Sequence, residues 1–417
     1  MSKLRRSLRA LENKNYRIYF FGLGVSFVGT WMQRIGLSWL AYRLTNSSEM
    51  LGIVSFATLM PSFVLSPVAG ALSERWNRRK MLIVTQIFAM IQALLLYVLV
   101  LRGDVQIWHL LVMGIFLGIV IGFDLPVRQA FVAQIVNSKE DLGNAIALNS
   151  LLFNGARLIG PAIAGYLIKA FGESTCFLAN GLSYLVFLIA LERIQIVQET
   201  ARESDKGAFL LKLKEGIQYA CATQPIKVVL VVLSLISLFG MPYFTLAPVF
   251  ARDVLQGGPE TLGVLMTCAG IGAMFGGAYL LSRISVAGLE KAVFYSVALL
   301  SLGMIVFSQS IVLWLSMAAM FIIGAGLMVA MASCNTILQT VVDDDKRGRV
   351  MSFYTMTFLG LFPLGSLLSG ELAEHYGAPL TLCIQGTICL TAVVLFAGRL
   401  ASIRQALQPV FAADNLA

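Results

Sequence analysis

The sequence predicts an all-α membrane protein in which twelve transmembrane helices form two pseudo-symmetric six-helix bundles. Hydrophobic residues make up 58% of the 417 residues and charged residues only 13%, whereas soluble domains are about 45–50% apolar and about 25% charged. Apolar stretches of membrane-spanning length recur along the chain, and basic residues gather at their ends. Most of the chain is therefore expected to be surrounded by lipid.

The apolar stretches define the predicted helices in chain order. A spanning helix needs about 20 mostly apolar residues, and a helix satisfies its own backbone polar groups within lipid. The predicted spans are 17–42, 50–73, 81–101, 107–131, 142–169, 174–194, 226–251, 260–282, 290–309, 311–339, 346–371 and 377–400. We assign 1–195 to an N-terminal six-helix bundle, 196–225 to a cytoplasmic amphipathic linker and 226–417 to a C-terminal six-helix bundle.

A polar stretch and an internal repeat support the division into halves. Residues 196–225 form the longest polar stretch, and their apolar residues follow a helical spacing that is typical of a helix on a membrane surface. A shift of 205 residues superimposes five identical pairs, which are Gln134 and Gln339, Gly143 and Gly348, Gly160 and Gly365, Gly165 and Gly370, and Gly172 and Gly377. Parallel halves around a central substrate site are a common transporter architecture.

The basic residues predict that both termini are cytoplasmic. In this orientation all but six of the 31 Lys and Arg residues lie on the cytoplasmic side, as the positive-inside rule requires. The exceptions are Arg43, Arg102, Lys169 and Arg252 on the outer side, and Arg34 and Arg157 within the membrane. The net charge of +9 is thus a topology signal, and we expect no nucleic-acid partner.

We expect no cofactor and no metal site. The six cysteines lie mostly inside apolar spans without a CxxC pair, and the two histidines are far apart in sequence, so buried thiols are the better interpretation. The phosphate-binding pattern Gly-x-x-x-x-Gly-Lys-Ser/Thr is absent, as are His-Glu-x-x-His and Gly-x-Ser-x-Gly. We therefore expect neither ATP-driven transport by this chain nor an enzyme.

Residues 70–80 form a short basic loop between two apolar spans and read Gly-Ala-Leu-Ser-Glu-Arg-Trp-Asn-Arg-Arg-Lys. The loop is similar to the signature Gly-x-x-x-Asp-Arg-x-Gly-Arg-Arg/Lys, and through it the chain resembles the major facilitator superfamily of transporters. Glu74 replaces the signature Asp and keeps its charge. Asn77 replaces the signature Gly, and because Asn tolerates left-handed backbone angles, we expect the turn to survive.

The resemblance implies a conformational relay at the cytoplasmic side. In this superfamily the loop acid, a loop arginine and an acid near the end of the fourth helix hold the inside closed in the outward-open state. The matching residues here are Glu74, Arg75, Arg78, Asp124 and Arg128. The alternative is that these charges only fix the topology. Asp124 is also the residue that we name for proton coupling, because deep acidic residues are scarce in this chain.

Four further segments, 30–33, 122–131, 144–150 and 154–157, are similar to the drug and siderophore exporter branch that includes the enterobactin exporter. This resemblance implies a monomeric secondary exporter of the bacterial inner membrane, which moves an amphipathic small molecule outward by alternating access in exchange for protons, with membrane lipids around it. The alternatives are a lysophospholipid or lipid flippase and a membrane enzyme or receptor.

The fifth predicted helix carries Gly160, Pro161 and Gly165, which resemble the antiporter motif of exporting members of the superfamily. Ala156, Gly160 and Ala164 are small residues four apart, so another helix can approach closely. Pro161 removes one backbone hydrogen bond and permits a bend. Ordinary packing glycines are the alternative interpretation.

Two arginines near the middle of their helices mark the predicted substrate site. An Arg that faces lipid there would cost about 2.5–3.5 kcal/mol on insertion scales, so each is expected to face an aqueous cavity or a charged partner. The predicted substrate-binding residues are Arg34, Arg157, Thr30, Trp31, Gln33, Asn149, Asn154 and Tyr243. Arg34 and Arg157 hold an anionic group such as a carboxylate or catecholate in one interpretation and belong to a structural charge network in the other.

Overall fold

The computed structural model of the chain describes residues 8–73, 76–136, 139–195, 223–283, 288–342 and 346–398. In this part of the chain a short 3-10 turn at Arg9–Glu12 precedes twelve long helices. They are α1 (Lys14–Thr45), α2 (Ser48–Ser73), α3 (Arg78–Arg102), α4 (Ile107–Ile135), α5 (Lys139–Phe171), α6 (Ser174–Arg193), α7 (Gln224–Val254), α8 (Pro259–Ser282), α9 (Leu289–Gln309), α10 (Leu313–Val341), α11 (Arg347–Tyr376) and α12 (Ala378–Ala397). The predicted number of helices is confirmed, and each predicted end lies within about five residues of the observed one.

Eleven of these helices are long and apolar enough to cross a membrane. The twelfth, α1, has 32 residues, and at 1.5 Å per residue its length of about 48 Å exceeds a hydrocarbon core of about 30 Å. Its lower hydropathy follows from four basic residues, two near its beginning, one near its middle and one near its end. We therefore count α1 as a spanning helix.

Asparagine side chains cap two helices of the first half. The Asn13 side chain accepts hydrogen bonds from the backbone N–H groups of Asn15 and Tyr16 at the beginning of α1. The Asn77 side chain accepts one from the backbone N–H of Lys80 at the beginning of α3. Asn77 has φ −65° and ψ 110°, so this residue does not use the left-handed backbone angles that Asn tolerates. The side chain is needed as a helix cap, which requires extended backbone.

Helix α7 is interrupted near its middle. Its α-helical parts are Gln224–Leu235 and Tyr243–Val249, and π-helical turns at Ile236–Gly240 and Phe250–Val254 follow each part. The break falls at Pro242, which has no backbone N–H to donate to a continuous helix. Widened π turns inside α-helices are frequently found at functional sites.

The chain divides into two compact units. Unit 1 comprises Met1–Asn46, Val54–Ser204 and Gly257–Thr267, and unit 2 comprises Ser47–Ile53, Asp205–Gln256 and Cys268–Ala417. Most of the proposed linker lies outside the described residues, so the division of the chain at 196–225 stays a prediction.

In unit 1, helix α1 packs against α5 and α6, and α3 packs against α4 and α6. The core at the beginning of α1 is aromatic, with the Tyr19 ring centre 5.8 Å from that of Phe131 and 5.7 Å from that of Phe187. Glycines on α1 recur every seven residues and face α6, where a Cβ on Gly22 would lie 2.5 Å from the Ala190 Cβ. Close approach of α1 and α6 thus depends on residues without side chains.

In unit 2, helix α9 packs against α10 and α12, and α11 packs against the interrupted α7. Hydroxyl and amide groups join these helices, since the Thr245 hydroxyl donates to the Ser366 hydroxyl over 3.0 Å and the Gln385 amide donates to the Ser369 hydroxyl. The Phe250 and Phe307 rings lie 4.5 Å apart between α7 and α9. Hydrogen bonds and close packing replace the hydrophobic driving force that is weak between helices in lipid.

Candidate functional site

The Trp31 side chain on α1 holds two arginines from different helices. The Arg34 guanidinium carbon is 4.7 Å from the centre of the Trp31 ring. The Arg157 guanidinium carbon, from α5, is 6.0 Å from the same ring. Both distances lie within the range of cation–π attraction, for which Trp is the best ring. The two arginines that the sequence singles out are thus brought together on one indole.

Packing from α5 fixes the Trp31 ring. The ring centre is 5.8 Å from that of Phe153 in an edge-on arrangement, and a Cβ on Gly160 would lie 2.5 Å from the Trp31 Cβ. Trp31 is 6% exposed, whereas Arg34 is exposed and Arg157 is half-buried. A fixed aromatic ring therefore carries one exposed and one half-buried cation.

The chemistry of this pair favours an anionic ligand. Arg34 and Arg157 repel each other because they carry like charges at close range. An anion between them would relieve that repulsion, and the planar guanidinium group can bind a carboxylate through two parallel hydrogen bonds. A flat aromatic surface beside the charges suits the apolar part of an amphipathic molecule.

The other polar residues predicted around the arginines bond within unit 1. The Thr30 hydroxyl and the Asn154 amide each donate to a backbone carbonyl one turn earlier, over 2.9 and 2.8 Å. The side-chain amide oxygen of Asn149 accepts a hydrogen bond from the Tyr16 hydroxyl over 3.1 Å. All three predicted residues are half-buried, so they retain part of their surface for a ligand.

Gln33 bonds to two other helices of unit 1, and Tyr243 belongs to unit 2. The Gln33 amide donates to Gln92 over 2.8 Å and accepts from Asn180 over 2.6 Å, and Gln33 is only 2% exposed. It therefore links α1 to α3 and α6, and we leave it out of the proposed binding surface. Tyr243 is 1% exposed and belongs to unit 2.

Asp124 lies in a second polar centre, inside unit 1. Its Oδ1 atom accepts hydrogen bonds from the Thr85 hydroxyl over 3.0 Å and from the Gln86 amide over 2.7 Å. Its Oδ2 atom accepts from Arg128, one turn later on α4. The Arg128 guanidinium carbon also lies 5.2 Å from the Phe27 ring and 5.4 Å from the Phe187 ring. The carboxylate and the guanidinium are thus paired, as buried charges require, and the guanidinium also lies near two aromatic rings.

This centre contains two of the five residues of the predicted relay. Glu74 and Arg75 lie outside the described residues, and Arg78 is the first residue of α3 and half-buried. The neighbouring Arg79 donates to the backbone carbonyls of Leu191 and Glu192 over 2.8 and 2.6 Å, where it caps the end of α6. The relay stays a prediction: Asp124 and Arg128 form an ion pair, and Arg78 lies at the beginning of α3.

Sequence reasoning did not identify Thr85, Gln86, Gln92 and Asn180 as partners in these centres. A signal was present, because amides within an apolar span are rare enough to indicate an interhelical hydrogen bond. The pairing itself could not be read from one sequence, because Gln33 is 59 residues from Gln92 and 147 residues from Asn180.

The small residues of α5 are points of close helix approach within unit 1. A Cβ on Gly165 would lie 2.8 Å from the Pro259 carbonyl oxygen, and a Cβ on Gly263 would lie 2.6 Å from the Pro161 carbonyl oxygen. The Lys169 ammonium and the Glu260 carboxylate pair over 2.9 Å beside this contact. Close packing along α5 fits both interpretations of the Gly160–Pro161–Gly165 pattern, and its role in antiport stays a prediction.

Among the described residues there is no group of three or more His, Cys, Asp or Glu side chains that could hold a metal ion.

The sequence pattern of the transmembrane secretion effector family matches residues 6–416. The chain belongs to this family of the major facilitator superfamily. The resemblance seen in the loop at 70–80 and in the exporter-like segments is confirmed, and so is the predicted fold class.

Curated relatives span nearly the whole chain. The staphyloferrin A transporter of Staphylococcus aureus is 28% identical over 91% of this chain and 96% of its own length. The multidrug efflux pump Tap of Mycolicibacterium fortuitum is 23% identical over 90% and 93%. The macrolide efflux protein A of Streptococcus pyogenes is 20% identical over 91% and 96%. The protein is therefore a multi-pass membrane transporter whose relatives move siderophores and drugs.

Solved structures share the fold at low sequence identity. A POT family transporter in complex with 5-aminolevulinic acid superposes with a TM-score of 0.74, at 11% identity and over 94% of this chain and 97% of that chain. The nucleoside transporter NupG superposes with a TM-score of 0.72, at 12% identity and over 92% and 98%. These likenesses concern the fold alone.

Proposed function

We propose that this transporter is a secondary active exporter of the bacterial inner membrane, that it moves an amphipathic anion outward, and that it exchanges the anion for protons. The observation that carries the proposal is the pair of arginines on the Trp31 ring. Two like charges near the middle of their helices mark a functional site in a membrane protein by default, and the fixed indole beside them offers an apolar surface to an amphipathic anion.

The substrate class follows from this chemistry and from the relatives. A siderophore with carboxylate or catecholate groups, or a drug with an acidic group, would place its charge between Arg34 and Arg157 and its apolar part against Trp31. The relatives named for staphyloferrin A, macrolide and multidrug transport span the range of amphipathic substrates that this surface would have to distinguish.

The proton is assigned to Asp124 in this proposal. An ionised carboxylate accepts hydrogen bonds only, and Asp124 accepts from Thr85, Gln86 and Arg128. Protonation would remove the charge that pairs with Arg128 and leave a buried cation to find another partner. That change is large enough to bias a conformational equilibrium, because an ion pair is broken inside a low-dielectric interior.

Transport by the full-length protein in proteoliposomes tests this function. Uptake of a radiolabelled polycarboxylate siderophore, a macrolide and a lysophospholipid would be measured with and without an imposed pH gradient. The proteoliposomes would carry the cytoplasmic face of the protein on the outside, so that export appears as uptake. We expect siderophore accumulation that depends on the gradient and is accompanied by proton movement. Accumulation that is indifferent to the gradient would exclude antiport, and movement of lysophospholipid alone would establish a flippase instead.

Neutral replacement of the arginines tests the binding surface. Arg157→Gln and Arg34→Gln should each raise the KM for an anionic substrate by roughly 10- to 100-fold, because a hydrogen bond to a charged group contributes about 1.5–3 kcal/mol. Arg102→Gln is the matched control, since Arg102 is exposed at the end of α3. An unchanged KM in both Arg34→Gln and Arg157→Gln would place the substrate elsewhere.

A further inference from the structure

An apolar groove runs along the outer surface of unit 1 between α3 and α4. It has a volume of about 670 Å³. Its walls are aliphatic and aromatic side chains that include Val84, Phe88, Phe116 and Phe123. Val84 and Phe88 are 49% and 45% exposed, so the groove opens to the surroundings of the helices, which are lipid for a spanning bundle.

The length of the groove matches one leaflet of a bilayer. Its polar end is at Asn77, the cap of α3, and its aromatic end is at Phe88 and Phe116, whose rings lie 5.9 Å apart. Eleven residues of helix separate Asn77 from Phe88, which corresponds to about 16 Å. Half of a hydrocarbon core of about 30 Å is about 15 Å. A groove of this length that begins at the membrane surface would reach the middle of the bilayer.

The mouth of the groove carries the groups of a membrane interface. Trp76 is 57% exposed at the mouth, and Trp is enriched at the level of lipid headgroups. Lys80 is exposed and lines the same mouth. An ammonium group at this level attracts anionic headgroups. An apolar slot of one-leaflet length that ends in a cation is complementary to one molecule of anionic phospholipid.

We propose that this groove is a binding site for an anionic phospholipid, with an acyl chain against Val84 and Phe88 and the headgroup phosphate on Lys80. The leaflet is the one at the beginning of α3, which is the cytoplasmic leaflet in the predicted topology. One wall residue, Thr85, donates its hydroxyl to Asp124. The bound chain would therefore lie one side chain away from the buried pair of Asp124 and Arg128.

Tryptophan fluorescence in lipid bilayers tests the site in the full-length chain. Four of the five tryptophans, Trp31, Trp39, Trp108 and Trp314, would be replaced by Phe so that Trp76 remains. Phosphatidylglycerol brominated near the headgroup end of its chains would be compared with equally brominated phosphatidylcholine at one mole fraction in the same mixture. We expect about five-fold enrichment of the anionic lipid at Trp76, the preference of one basic residue near the surface.

Three comparisons complete the test. Lys80→Gln should abolish the preference, and a variant that keeps only Trp314, which is 70% exposed at the beginning of α10, should show none. Native mass spectrometry of the unaltered protein and of Lys80→Gln repeats the comparison without replacement of tryptophans. Equal quenching by the two lipids, or a preference that survives Lys80→Gln, would overturn the proposal. Protection of Trp76 from both lipids would overturn it as well.

Discussion

The buried pair of Asp124 and Arg128 shows how much a single side chain can determine in this protein. Asp124 is 8% exposed, and the Arg128 side chain is 13% exposed. Two charges of opposite sign are tolerated there because each has a partner and because Thr85 and Gln86 complete the coordination of the carboxylate. Removal of one charge leaves the other buried and unpaired, whereas removal of both does not.

Arg128→Met is therefore expected to lower the free energy of unfolding by about 3–5 kcal/mol. The double variant Asp124→Asn and Arg128→Met should recover at least half of that loss, because Asn still accepts from Thr85 and Gln86 and carries no charge. Thermal unfolding of the detergent-solubilised protein measures both. The control is Arg9→Met, since Arg9 pairs with Asp141 at the surface with 46% of its side chain exposed, where a loss of at most about 1 kcal/mol is expected. A double variant as unstable as the single one would contradict the argument.

The same residues mark how far a sequence can predict a site. Arg34, Arg157 and Asp124 could be selected because charges within apolar spans are rare and costly. The contact of both arginines with Trp31 could not be predicted, because it depends on how α1 and α5 are rotated about their own axes. The direction of Gln33 could not be predicted for the same reason, and the structure turns its amide toward α3 and α6.

Glycines allow α1 and α6 to pack closely against each other. Along α1, Gly22, Gly29 and Gly36 recur with a period of seven and contact Ala190, Ser183 and Cys176 of α6, respectively. Helix ends were predictable to within a few residues from hydropathy, but this seam was not, because a glycine in an apolar span can equally lie toward lipid. At Gly155 of α5, by contrast, an added Cβ would have no atom of another helix within 4 Å.

Gly29→Ala is expected to destabilise the protein by about 1–3 kcal/mol, the usual result of extra volume in a packed interface. An added Cβ would overlap with the Ser183 hydroxyl and approach the Asn180 amide oxygen to 2.7 Å. Ser183→Gly in the same chain should restore part of the loss, because it removes the obstructing side chain. Gly155→Ala is the control and should be neutral or stabilising by up to about 1 kcal/mol, since Ala favours helix over Gly. Equal effects of the two Ala variants, measured by thermal unfolding, would show that the α1–α6 seam is not tight.

The orientation in the membrane is predicted by the whole chain and not by any single helix. The helix count, the apolar composition and the family are established by the structure and the relatives, whereas the orientation rests on the distribution of 31 basic residues. Twelve crossings place both termini on the same side, and the excess of basic residues on one set of connections predicts that this side is the cytoplasm. Transport direction in the proposed function depends on that orientation.

Cysteine labelling at the two ends of α9 tests the orientation. Lys291 is exposed near the beginning of α9, and Ile311 is 77% exposed just after its end. In a chain whose six native cysteines are replaced by alanine, Ile311→Cys should react with a membrane-impermeant maleimide in intact cells. Lys291→Cys should react only after the cells are permeabilised, because the beginning of α9 is cytoplasmic in the predicted topology. The reverse pattern would invert the orientation, and transport by the alanine background must first match that of the unaltered protein. The two sites lie at opposite ends of one helix, so a difference between them reports the side of the membrane and not a difference in the fold.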